Sequence, residues 1–182
     1  HASLAPSEMC IRDRLNYFQL FSLPENYDID NDALLKSFET LAKKYHPDRV
    51  AADSAFEKRQ YTALFVTLNE AYRVLKDPIT RAEYCLQCLG VNYDPEKPEP
   101  QSMNFLEQQM QWHERLEESA SPEELSALKE ELDQEQKTRI HKIATALKTK
   151  DPVQSAALIN ELKFFRRLNH TLKEKERVLK EG

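Results

Sequence analysis

From Leu34 onward the apolar residues of this chain return at steps of three and four. Leu34, Phe38, Leu41 and Tyr45 follow one another at i, i+4, i+7 and i+11, and Tyr61, Leu64, Phe65, Leu68, Ala71, Tyr72 and Leu75 continue in the same rhythm. Such spacing paints one face of a helix and cannot line one face of a strand, whose side chains alternate. Only 2 glycines interrupt the 182 residues. The expected fold class is therefore all-α. Two helices with one apolar stripe each bury those stripes against each other, which makes the first pair an antiparallel hairpin.

The segment between those helices is Tyr45-His46-Pro47-Asp48-Arg49. A residue before proline is pushed out of the helical region, so the first helix stops here. A His and an Asp are left on a loop at the tip of a hairpin, a placement that favours binding. Asp28-Ile29-Asp30-Asn31-Asp32 is a capping cluster, so the first hairpin helix spans about 31–45. Taking Leu34 as zero and about 100° per residue, Lys36 and Lys43 fall opposite the apolar stripe with Lys44 beside them. The outer face of this helix is basic, although the whole chain carries a net charge of −5.

Further along, one helix is expected over about 52–76. Asp77-Pro78 restarts the chain as cap and first helical residue, and a short helix from Ile79 to about Cys88 closes before Gly90. Pro95, Pro98 and Pro100 make 92–101 a linker between two domains, at 15–91 and 102–182. The second domain contains three helices. One spans about 102–119; the next opens on the capping box Ser121-Pro122-Glu123-Glu124; the last opens on Asp151-Pro152. The middle helix carries Leu125, Leu128, Leu132, Ile140, Ile143 and Leu147, and the last carries Leu158, Leu162, Phe165, Leu168, Leu172 and Leu179. Short connections make these a three-helix bundle. Residues 1–14 lack periodicity and are expected to be a tail, or a leader foreign to the domain.

The acidic balance argues against nucleic acid as a partner. No apolar run approaches the roughly 20 residues that span a bilayer, so no membrane partner is expected. Three cysteines do not make a disulfide framework. Cys85-Leu86-Gln87-Cys88 supplies two ligands where a structural zinc site needs four, and Cys10 lies far off. Neither a metal nor another cofactor is expected. No nucleophile accompanies His46 and Asp48, and a hairpin tip is no pocket, so a non-enzymatic role is expected.

Three blocks carry a specific resemblance. They are Tyr45-His46-Pro47-Asp48-Arg49, then Leu68-Asn69-Glu70-Ala71-Tyr72-Arg73-Val74-Leu75-Lys76-Asp77-Pro78, then Arg81-Ala82-Glu83-Tyr84. Together they resemble the J domain of DnaJ-type co-chaperones. The second half, with Phe105-Leu106-Glu107-Gln108-Gln109-Met110, Glu114 and Leu162-Lys163-Phe164-Phe165, resembles the HscB family, J-proteins of iron–sulfur cluster assembly. Glu107 stands where that family commonly has an apolar residue. The resemblance implies that the J domain docks on an HscA-like, DnaK-type chaperone and speeds its ATP hydrolysis. It implies that the bundle holds an IscU-like scaffold protein.

On that reading His46, Pro47, Asp48 and Arg49, with Lys36, Lys43 and Lys44, form the chaperone-binding surface. The scaffold surface follows from the helical wheel. With Phe105 at zero, Trp112 and Leu116 share its face, whereas Leu106, Met110 and Met103 fall on a second strip about 100–160° away. Leu106, Met110 and Phe164 are the expected contact patch, with Glu114, Glu118 and Lys163 at its rim. A monomer in a bacterial cytosol is expected, in preference to a mitochondrial matrix. The alternative is a J-protein serving another client.

Overall fold

A computed structural model describes residues 16–49, 54–97 and 100–182. The expected leader and the expected helix start at Ala52 lie outside these residues, as does Pro98 of the linker. The described residues form helices joined by turns and irregular segments, with no strand among them. They fall into two compact units, the break coming after Arg81.

In the first unit, α1 (Tyr17–Leu20) is one turn started by Asn16, whose Oδ1 accepts from the Phe18 amide at 2.8 Å. Ser22 takes a positive φ of 54° and turns the chain out of it. α2 (Asn31–Tyr45) begins where Asp30 accepts from the amides of Asp32 and Ala33. α3 (Ala55–Lys76) begins at the Ser54 cap, and its face of Leu64, Leu68, Ala71 and Leu75 is buried. α2 and α3 pack together, and α1 packs on α3. Phe38 of α2 stacks on Tyr72 of α3 at 4.2 Å, and Phe21 meets Phe38 edge-on at 6.4 Å.

α4 (Pro78–Cys88) starts at Pro78, the expected first helical residue. The Asp-Pro-x-x-Arg element has a physical reason here. Arg81 is 5% exposed, donates from Nη1 to the Leu75 carbonyl at 2.8 Å and lies over the Tyr27 ring at 4.8 Å. Tyr27 in turn donates its hydroxyl to the Pro78 carbonyl at 3.1 Å. A carbonyl orphaned at the end of α3 is thus satisfied by a side chain of the next helix. Gly90, at φ 76°, follows α4 in the left-handed conformation that a glycine adopts without strain.

The second unit is a bundle of α5 (Met103–Glu118), α6 (Pro122–Lys148) and α7 (Pro152–Glu181). Ser102 caps α5, Ser121 and Glu124 form both halves of a capping box on α6, and Asp151 caps α7. One core joins all three helices: Phe105 and Leu116 from α5, Leu125, Leu128 and Leu132 from α6, and Phe164, Phe165, Leu168 and Leu172 from α7. Trp112 packs at its edge, 6.1 Å from Phe165.

Two stripe positions differ from expectation. Ile140 is only half-buried, and Arg139 takes the inward position on α6. Arg139 follows Leu132 by seven residues, two near-complete turns, so it falls on the core line, whereas Ile140 lies about 80° off. Its guanidinium stacks 4.3 Å over Phe165 and pairs with Glu135 and, at 3.2 Å, Glu161. Leu179 is 37% exposed, because α7 runs two turns past Leu172, the last buried residue.

Polar ties fix the helices in register. Arg115 of α5 and Glu131 of α6 form a two-bond fork at 2.8 and 2.9 Å. Lys175 of α7 donates to the carbonyls of Leu116 and Glu117 at 2.6 and 2.8 Å, capping the end of α5.

Candidate functional site

α2 ends because of Pro47. His46 is its C-cap, extended at φ −61° and ψ 129°, the conformation that a following proline enforces. The chain then turns tightly, with the Arg49 amide donating to the His46 carbonyl at 2.9 Å. The Asp48 amide donates to Nδ1 of His46 at 3.2 Å. That bond requires an unprotonated Nδ1 and places any imidazole proton on Nε2. The Asp48 carboxylate lies 3.9 Å from the same nitrogen, beyond hydrogen-bond reach, and its side chain is 90% exposed.

The imidazole is held from behind by Phe65 of α3, edge-on at 5.1 Å. Tyr45, the last residue of α2, stacks on Tyr61 at 6.1 Å. Aromatic contacts thus anchor the base of the loop while its carboxylate stays in water. His46, Asp48 and Arg49 share a shallow cleft with Lys43 and Phe65. Lys36, Lys43 and Lys44 are exposed along α2, and Arg49 is exposed at the turn.

On the bundle, α5 shows both faces that its periodicity requires. Phe105 and Leu116 are buried, while Met103, Leu106 and Met110 are 73%, 41% and 66% exposed. Glu114 and Glu118 are exposed on the following turns.

Phe164 does not join this strip, and the expectation that it would is corrected. It is 3% exposed and meets Phe105 at 5.6 Å, Phe165 at 5.2 Å and His113 at 5.6 Å, all edge-on. The reason is that α7 has two neighbours, so its buried sector is wider than one stripe. A residue about 100° round from Phe165 still points inward, toward α5.

Lys163 is likewise no free rim charge. Its Nζ donates to Glu83 at 3.2 Å, the Tyr93 hydroxyl at 3.3 Å and the Pro95 carbonyl at 3.4 Å, joining α7 to the middle of α4 and to the segment after that helix. Sequence reasoning missed this tie, whose partners stand 68 to 80 residues away. It also missed Arg139, for which a signal existed, a cation on the heptad line from Leu132. Among the described residues, no cluster of three or more His, Cys, Asp or Glu could hold a metal, and no helix is long and apolar enough to cross a membrane.

A model of the DnaJ domain matches residues 16–84, and one described as the HSCB C-terminal oligomerisation domain matches residues 101–173. The chain is 39% identical over 132 residues to the Co-chaperone protein HscB homolog of Neisseria meningitidis serogroup A, covering 72% of this chain and 79% of that protein. It is 37% identical over 158 residues to the homolog from Mannheimia succiniciproducens, covering 84% and 91%. Among solved structures, the chaperone HscB from Vibrio cholerae superposes with a TM-score of 0.79 at 31% identity, over 91% of this chain and 99% of that one. Human co-chaperone protein HscB shares the fold, with a TM-score of 0.83 at 21% identity over 91% and 84%. A J-type hairpin followed by this bundle, with relatives of that identity over most of their length, places the chain: it belongs to the HscB family of co-chaperones.

Proposed function

We propose that this co-chaperone stimulates ATP hydrolysis by an HscA-like, DnaK-type chaperone and delivers to it an IscU-like scaffold protein during iron–sulfur cluster maturation. The observation that carries this reading is the outward apolar strip of Leu106, Met110 and Met103 on a helix whose opposite face is already filled by core. A three-helix bundle needs no second apolar strip for its own stability, and exposed apolar strips mark partner sites. Glu114 and Glu118 supply a polar rim, and Phe164 acts through Phe105 by holding α5 in place.

At the other end, Asp48 makes a charge-assisted bond to a basic group of the chaperone. Lys36, Lys43, Lys44 and Arg49 face acidic surface there, which speeds encounter and makes it salt-sensitive. Pro47 and the His46 bond to the Asp48 amide fix the loop beforehand, so docking costs little ordering entropy. The protein acts as a monomer, and a bacterial cytosol is the setting this reading assigns.

The test is a steady-state ATPase assay of the chaperone with scaffold. Asp48→Asn loses stimulation and still binds scaffold; Leu106→Ala with Met110→Ala loses scaffold binding and keeps the basal J-domain effect. Normal stimulation by Asp48→Asn would sink the chaperone assignment. Unchanged scaffold affinity in the Leu106/Met110 variant would leave a J-protein for another client.

A further inference from the structure

Beside the Leu106 strip lies a cleft of about 460 Å³ between α7, the start of α5 and the segment before it. Its polar lining is Asn160, Lys163 and Arg167 from α7 and Gln101 from the approach to α5. Pro95, Pro100 and Leu106 supply apolar walls. No carboxylate lines it among the described residues.

Asn160 is the unusual member. It is 4% exposed, and its Nδ2 is buried with no hydrogen-bond partner among the described residues. A buried amide donor left unpaired is unfavourable, and a native structure that keeps one has a use for it or fills it. The other donors point to the same chemistry. Arg167 is exposed and forms no ion pair with a described residue. The Gln101 side chain uses its Oε1 to accept from Gln109 at 2.6 Å, which leaves its amide nitrogen as a donor. Lys163 brings a second positive charge, offset by Glu83 at 3.2 Å behind it. The cleft therefore offers donors and about one net positive charge, with apolar walls to either side.

We propose that this cleft receives an acidic side chain, Asp or Glu, of an extended client segment whose neighbouring apolar residues rest on Leu106 and the two prolines. The carboxylate accepts from Arg167 and Gln101. The Asn160 amide reaches it by rotation about its last torsion, which is broad and carries little strain. Inorganic anions fit these walls poorly, since Pro95, Pro100 and Leu106 offer them nothing. The cleft shares Leu106 with the proposed scaffold surface, and the inference rests on that reading for the client as the source of the acid.

Two measurements test it. In ¹⁵N-labelled protein, the Asn160 side-chain amide resonances are followed during titration with acetyl-Leu-Glu-Leu-amide and acetyl-Leu-Gln-Leu-amide. They move with the Glu peptide and stay with the Gln peptide. No movement with the Glu peptide overturns the site, and equal movement with inorganic phosphate overturns the acidic-peptide assignment. In the second, scaffold affinity is measured at low and high salt. Arg167→Glu, a surface change with unaltered helical circular dichroism, weakens binding about tenfold at low salt and flattens its salt dependence. If Arg167→Glu binds like the native protein while Leu106→Ala with Met110→Ala does not, the inference alone fails. If the peptide response stands but the Leu106/Met110 variant binds scaffold normally, the scaffold reading fails, and with it the client as source.

Discussion

Replacing Phe164 with alanine separates core from contact surface on α7. The ring is 3% exposed and meets Phe105, Phe165 and His113 edge-on. A phenylalanine buries roughly 150 Å² or more, and at about 25 cal/mol per Å² its removal costs about 4 kcal/mol. Core Phe→Ala changes cost about 3–5 kcal/mol, which agrees. Against a typical domain stability of about 5–15 kcal/mol, Phe164→Ala should remove roughly a quarter to four-fifths of the total. Leu106→Ala and Met110→Ala, at 41% and 66% exposed, should each cost under about 1 kcal/mol. Urea unfolding followed by tryptophan fluorescence makes the comparison directly, because the single tryptophan, Trp112, packs on the same core. A Phe164→Ala protein as stable as the native one, yet unable to bind scaffold, would return Phe164 to the contact surface and refute the packing argument.

Two further perturbations address the bundle's polar ties. Arg139→Ala strips the partner from Glu135 and Glu161 and uncovers Phe165; because both carboxylates keep some solvent, a loss of about 2 kcal/mol is expected in urea unfolding. The Arg115 hydrogen bonds hold the Glu131 carboxyl below its ordinary range. The unfolded state therefore takes up its proton first as pH falls. The contribution is whole above the ordinary carboxylate range and disappears as pH drops through the lowered folded value. Both side chains are about half exposed, so it amounts to under about 1 kcal/mol. Glu131→Gln should flatten the acid limb of stability below neutral pH by that amount.

The elements that begin with an explicit stop or cap were readable in the sequence. Asp30, Ser121 and Asp151 each stand one residue before the helix they start, and Pro47 ends α2 where expected. The split of α5 into a buried and an exposed strip was also readable, because one helix with one neighbouring core follows a simple wheel. α7 was harder. It packs against two helices, so Phe164 is buried although it lies off the central stripe, and Asn160, farther round, is buried beside Pro95, Pro100 and Gln101. Lys163 has the composition of a surface residue and acquires its partners only when residues 83, 93 and 95 arrive beside it. A wheel describes one helix at a time, and those contacts belong to several segments at once.

The Lys175 cap has a consequence for how the bundle opens. Its ammonium, on α7, holds two carbonyls at the end of α5, the helix that carries Leu106 and Met110. The turns of α7 around Val178 are exposed, and Lys175 stands between them and Leu172, so local opening there reaches the lysine before the core. When it lets go, the last turn of α5 loses its acceptors' partner in the same event. Opening at the carboxyl end of one helix is thereby coupled to loosening of another, and the contact helix has a seam through which it can yield locally while the aromatic centre stays closed.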